Sequence, residues 1–158
     1  MKFSHDMTYD APPEAVRAML ADPAFREEVC DAMSAVRKEV RIDPDGDAMR
    51  VKVDQTQPAK GIPSFAKKFV GDEINIVQHE QWADGTAASL LVEIPGKPGQ
   101  MKGSIALAGT GGGTTETVQG EIKVSIPLVG GKLEALIGDL LRSALKAEER
   151  VGRKYLAR

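Results

Sequence analysis

Polar and apolar residues alternate at the start of the chain, with Phe3, His5, Met7 and Tyr9 on one side and Lys2, Ser4, Asp6 and Thr8 on the other. A two-residue period predicts a half-buried strand over Lys2 to Tyr9, its odd positions facing inward. Asp10 stands where a helix N-cap is expected, and Pro12 and Pro13 suit a first turn. Ala15 to Leu20 then reads as a short helix. Asp22-Pro23 ends it and starts another, with a rough apolar stripe of Ala24, Phe25, Val29, Ala32 and Met33 running through Ser34.

Alternation returns over Val36 to Ile42, and Asp43-Pro44-Asp45-Gly46-Asp47 is a strong turn signal before Met49, Val51 and Val53. Between Gln57 and Gly71 the period changes. Ile62, Phe65, Ala66 and Phe69 recur at helical spacing, with Lys67 and Lys68 facing away. Two more hairpins follow: Glu73 to Trp82 with Ala87 to Ile94 across Asp84-Gly85, and Gln100 to Ala108 with Thr115 to Ile126 across the Gly109–Gly113 tract. Pro127 stops the last strand. Beyond Gly130-Gly131, a helix from about Lys132 to Tyr155 carries Leu133, Leu136, Ile137, Leu140, Leu141, Ala144, Leu145, Glu148, Val151 and Tyr155 along one face. Its length is roughly 36 Å, enough to cross a whole sheet.

This order predicts an α+β fold: a seven-stranded curved antiparallel sheet wrapped around a long C-terminal helix, with two short helices after the first strand. Strands joined by short turns favour an antiparallel meander, and only the last helix is long and apolar enough to cover it. The length, 158 residues, fits a single domain over 1–158.

Composition adds one departure from the ordinary. Hydrophobic residues reach 42 % but aromatics only 4 %, so the interior is aliphatic and leaves room for a foreign molecule more readily than one filled with rings. A net charge of −2 argues against nucleic-acid binding through global electrostatics. The longest apolar runs fall far short of the ~20 residues that span a bilayer, and the first nine residues lack a secretory apolar stretch. One cysteine, Cys30, suits a reducing compartment, and the cytoplasm is the expected location.

Two segments resemble a known superfamily. The first is Tyr9-Asp10-Ala11-Pro12-Pro13-Glu14-Ala15-Val16, a strand end running into a helix start. The second is Gly120-Glu121-Ile122-Lys123-Val124-Ser125-Ile126-Pro127-Leu128-Val129-Gly130-Gly131-Lys132-Leu133-Glu134, a last strand passing through Pro and Gly into the final helix. With Glu149 and Tyr155 downstream, the chain resembles the START-like, birch-pollen-allergen-like helix-grip superfamily of polyketide cyclases and lipid transport proteins, and in particular an uncharacterised actinobacterial branch. The resemblance spans nearly the whole chain. Its motifs are architectural, and they imply a cavity between sheet and helix without naming its contents.

Candidate ligand-binding residues follow from the expected inner faces. On the first strand they are His5, Met7 and Tyr9, where His5 is either a satisfied core histidine or a polar handle for a head group. Phe65 and Phe69 belong to the inserted helix, which is either a lid or an ordinary helix on a sheet edge. Gln78 and Trp82, with Glu80 between them, line the wet end of the pocket or turn to solvent. Met101, Gly103 and Leu107 on one strand and Gly120 on the next complete the sheet side, the glycines marking either a sheet bend or ligand space. On that second reading, Gly103→Trp abolishes binding and leaves the fold intact. Leu141, Leu145 and Glu148 supply the helix side, and Glu148 must reach solvent, find a partner or shift its pKa upward.

No catalytic set emerges. Gly109-Thr110-Gly111-Gly112-Gly113-Thr114 lacks the third glycine of a dinucleotide fingerprint, and Gly131-Lys132 lacks the flanks of a phosphate loop. Two histidines and one cysteine make no zinc-type cluster, and no cofactor is expected. The expected function is non-enzymatic binding or transport of a hydrophobic small molecule, a lipid, polyketide or isoprenoid, without stable membrane insertion. The alternatives are a cyclase or dehydratase using His5, Glu148 or Glu80 as acid or base, and a ligand-free protein-interaction module.

Overall fold

The computed structural model describes residues 1–158. In chain order the elements are β1 (Lys2–Tyr9), α1 (Pro13–Leu20), α2 (Pro23–Ala32), β2 (Arg37–Asp45), β3 (Ala48–Pro58), α3 (Ser64–Val70), β4 (Glu73–Trp82), β5 (Ala87–Glu93), β6 (Gly99–Thr110), β7 (Gly113–Val124) and α4 (Gly130–Leu156). The strands form one seven-stranded antiparallel sheet in the order β1-β7-β6-β5-β4-β3-β2. This is the helix-grip arrangement: a meander from β2 to β7, closed by β1 pairing with the last strand, and α4 lying across it.

Local chemistry moves several boundaries from their expected places. Asp10 caps nothing; α1 starts from Pro12 with no side-chain cap, whereas Asp22 accepts from the Ala24 N–H at 2.9 Å and caps α2. The first hairpin turns only at Gly46-Asp47, so β2 and β3 pair out to Asp45 and Ala48. Pro44 is accommodated inside β2 because that strand is a sheet edge, where one side of the backbone needs no donor. The β6–β7 turn is likewise confined to Gly111-Gly112, both at positive φ. β7 ends at Val124 rather than Ile126, and α4 begins two residues early.

Two helix glycines fix where α4 sits. A Cβ on Gly138 would lie 2.6 Å from the Met1 Cε, and one on Gly152 would lie 2.7 Å from the Tyr9 ring and 3.1 Å from the Met19 Cε. The helix therefore comes down hardest on the β1–β7 side and on α1. There Phe3, Met7, Tyr9, Met19, Leu20, Phe25 and Ile122 form a closed core, each no more than 4 % exposed.

Candidate functional site

The middle of α4 is packed differently. Leu136, Ile137, Leu141, Ala144 and Leu145 lie on its apolar face, yet all are only half-buried, and Leu140 is 43 % exposed. They border a cavity of about 600 Å³, within the range of ligand sites. Val53, Gln55 and Gln57 of β3 form its other wall with Ile74, Ile76 and Gln78 of β4, Val92 of β5 and Met101 of β6. α2 contributes Arg26, Val29 and Cys30 at one end. At the other, Ala66 and Phe69 of α3 line the cavity while α3 packs on Val124, Leu133 and Leu136. Exposed Ser34, Lys60, Lys97 and Arg150 mark the rim.

The inner end is polar and buried. Arg26, 5 % exposed, donates from Nη1 and Nη2 to the two carboxylate oxygens of Glu80, each at 2.8 Å, and from Nε to the Leu20 carbonyl at 2.9 Å. Glu80 also accepts from the Trp82 indole at 2.8 Å and from the Gln78 amide. Burial opposes charge on both partners. It pulls Arg26 down and Glu80 up, but the bidentate pair and the added donors outweigh it, leaving Arg26 above and Glu80 below their ordinary values.

Two further carboxyl groups lie beside this pair. Glu116 of β7 is 1 % exposed, and its Oε1 has no hydrogen-bond partner. Burial, then the neighbouring Glu148 and Glu80, push its pKa well above the ordinary carboxylate value. Glu148 of α4 keeps part of its surface accessible, but that surface faces the cavity. Burial raises it to about 7 against the lowering effect of Arg26, with Glu80 adding to the rise. A small annexe of about 30 Å³ joins the cavity here, walled by Glu80, Glu116, Glu148, Leu90 and Ile105. No three His, Cys, Asp or Glu side chains converge in a way that would hold a metal ion.

Of the residues singled out in the sequence, Phe69, Gln78, Met101, Leu141, Leu145 and Glu148 meet at the cavity. The others lie elsewhere. His5 is half-buried on β1 opposite Val118, and Met7 and Tyr9 are sealed in the core, because α4 at Gly152 stands too close to β1 to leave a hollow. The Tyr9 hydroxyl donates to the Met7 Sδ at 3.7 Å. Trp82 is buried under the Arg17 guanidinium, Leu107 is buried beside Glu116 on the neighbouring strand, and Phe65 packs with α3's own cluster. Gly103 and Gly120 face each other across β6 and β7, and a Cβ on either would meet the opposite backbone at 1.9 and 2.2 Å. They serve close strand approach, not ligand space. Gly103→Trp would therefore break the sheet, contrary to the expectation that it leaves the fold intact.

Arg26 and Glu116 were absent from the candidates, although both had a signal. Glu116 shares strand parity with Val118 and Ile122, and Arg26 shares a helical face with Val29, Cys30 and Met33.

Comparison with known proteins places this geometry in context. Residues 4–156 match the family described as "Protein of unknown function (DUF2505)". The chain is 30 % identical over 125 residues to the uncharacterized protein Rv0481c of Mycobacterium tuberculosis (strain ATCC 25618 / H37Rv), covering 73 % of this chain and 72 % of that one. Among solved structures it is similar to a START superfamily protein from Mycobacterium smegmatis, with TM-score 0.60, 15 % identity, and 95 % and 96 % of the two chains covered. Ara h 8.0201 gives TM-score 0.61 at 14 % identity over 96 % and 97 %. The di-domain ARO/CYC StfQ from the steffimycin biosynthetic pathway gives 0.65 at 10 %, covering 97 % of this chain and 49 % of that one. The fold is the START-like helix-grip fold.

Proposed function

The chain belongs to this family of unknown function, and we propose that it binds or carries a hydrophobic small molecule, a lipid, polyketide or isoprenoid, between sheet and α4, without itself catalysing a reaction. One observation carries the reading. The apolar face of α4 is left half-covered along Leu136 to Leu145, opposite aliphatic side chains of β3 to β6, with about 600 Å³ between them. Leaving that much apolar surface uncovered costs stability, roughly 25 cal/mol per Å², which a bound apolar molecule would return. No helix is long and apolar enough to cross a membrane. A lone buried Cys30 fits action in the cytoplasm.

The test is a homologous series of alkanols, titrated into the protein by calorimetry. Each methylene buried is worth about 0.8 kcal/mol, so affinity should climb about fourfold per added carbon until the cavity is full, then level off. Absence of binding, or affinity independent of chain length, would overturn the proposal.

A second reading draws support from Glu148, whose pKa near 7 and position beside Glu116, itself raised, suit proton transfer to a bound polyketide. It predicts turnover of a poly-β-ketone analogue that disappears in Glu148→Gln; turnover unaffected by that change would remove it. His5 lies outside the cavity, and Glu80 is engaged by Arg26, Trp82 and Gln78.

A further inference from the structure

The inner end of the cavity holds more carboxyl groups than cations. Five polar side chains face it: Arg26 from α2, Gln78 and Glu80 from β4, Glu116 from β7 and Glu148 from α4. Arg26 is the only cation among them, and its three nitrogens already serve Glu80 and the Leu20 carbonyl. Gln78 and Trp82 complete the shell of Glu80. That group is closed. Glu116 and Glu148 remain, two carboxyl groups with no basic partner, one of them with an unpaired oxygen at 1 % exposure.

Size and charge narrow what completes them. The annexe of about 30 Å³ has room for about two water-sized groups, since roughly 10–15 Å³ of such space holds one water. A carboxylate or phosphate head has the wrong sign to sit between two carboxyl groups. A hydroxyl fits but offers no positive charge to the two carboxyl groups. An ammonium fits, donates up to three hydrogen bonds and carries a positive charge. The rim carries the opposite sign, since Lys60, Lys97 and Arg150 line the mouth. The cavity is thus polarised, basic outside and acidic within.

Resting on the carrier reading above, we propose that the annexe between Glu116 and Glu148 is a head-group subsite for the protonated amine of an otherwise aliphatic ligand. The tail runs outward along Val92, Met101, Leu141 and Leu145, which line both annexe and cavity. Docking the ammonium takes the proton from the Glu148 carboxyl to solvent, so amine affinity rises with pH through neutrality and levels once Glu148 is ionised. Of the other titratable groups nearby, Tyr9 and Cys30 stay protonated through neutrality, because burial raises both and the surrounding carboxylates add to the rise at Tyr9, while Arg17 stacks on Trp82 outside the annexe.

The experiment titrates dodecylamine, dodecanol and dodecanoate, each below its micellar concentration, into the full chain at about pH 8. Charge-assisted hydrogen bonds of about 1.5–3 kcal/mol predict amine affinity at least about tenfold above that of dodecanoate. Glu148→Gln and Glu116→Gln should each lower amine affinity about tenfold and move dodecanol by less than about twofold, with thermal unfolding confirming that both variants fold. Dodecanoate binding as tightly as the amine overturns the subsite, as does amine affinity unchanged in both variants; in either case dodecanol binding leaves the carrier reading standing. Binding of none of the three overturns both.

Discussion

The two halves of α4 meet the same sheet in opposite ways. Toward its C-terminus, Ala147 and Gly152 are buried, Tyr155 packs edge-on to Phe25 at 5.6 Å, and the Tyr155 hydroxyl donates to Asp22 at 2.6 Å. Toward the middle, larger side chains from Leu136 to Leu145 are only half-covered. Glycine stands at the helix positions that press on β1 and α1, and large side chains stand over the hollow. Small residues let the helix approach β1 and α1. The leucines and Ile137 then stand over β3 to β6 with nothing large enough beneath them, since few aromatics are available to fill the space. The hollow follows from how the helix is anchored, and the buried charges sit at the boundary between the two regimes.

The largest expected effect comes from breaking that boundary. Arg26→Ala removes the only cationic partner of a buried Glu80 and should cost about 3–5 kcal/mol in urea unfolding, while Arg26→Met combined with Glu80→Leu should recover most of it. A loss below about 1 kcal/mol would show that water reaches Glu80 and that the boundary is not dry.

Next in size is a pH effect at the edge of the hollow. Glu148 is raised from 4.5 to about 7 in the folded chain, so the native state holds a proton that the unfolded state releases earlier. Stability contributed by this group is full below about pH 4.5 and is lost as pH rises to about 7, then stays flat. Glu148→Gln removes the penalty and should stabilise the ligand-free protein at pH 8 by on the order of 2–3 kcal/mol, with no gain at pH 4. A pH-independent difference between variant and parent would contradict the burial.

Smaller effects separate the two halves of the helix directly. Gly152→Val inserts bulk against Tyr9 and Met19 and should cost about 1–3 kcal/mol by thermal unfolding. Ala144→Phe inserts more bulk, but into the cavity, and should cost less than about 1 kcal/mol while abolishing alkanol binding. Equal destabilisation by the two would mean that the middle of the helix is as tightly packed as its end.

The sequence made the sheet and its order readable because alternation and turn residues are local signals. Each hairpin carries its own evidence in Gly46, Asp84-Gly85 or Gly111-Gly112. Strand parity put Gln78 and Met101, and helical spacing put Leu141, Leu145 and Glu148, on the side where the cavity lies. Parity cannot say how far away the covering helix stands. His5, Met7 and Tyr9 share the inner face with Phe3, yet they lie under the tight half of α4, a fact set by Gly152 some 140 residues later in the chain. Gly103 and Gly120 failed for a related reason. Their meaning depends on facing each other across a strand pair, and only register reveals that. Arg26 and Glu80 lie 54 residues apart, so their pairing is a tertiary fact, even though each occupies an inward position that its own element betrays.

Methyl-resolved NMR during titration with dodecanol tests the central claim most directly. Ile76, Met101, Leu141 and Ala144 should shift together and saturate at one equivalent of ligand, while Met7, Met19 and Leu107 in the packed half stay still. Shifts confined to surface methyl groups, or spread equally over both sets, would mean that the space beneath α4 is not where an apolar molecule goes.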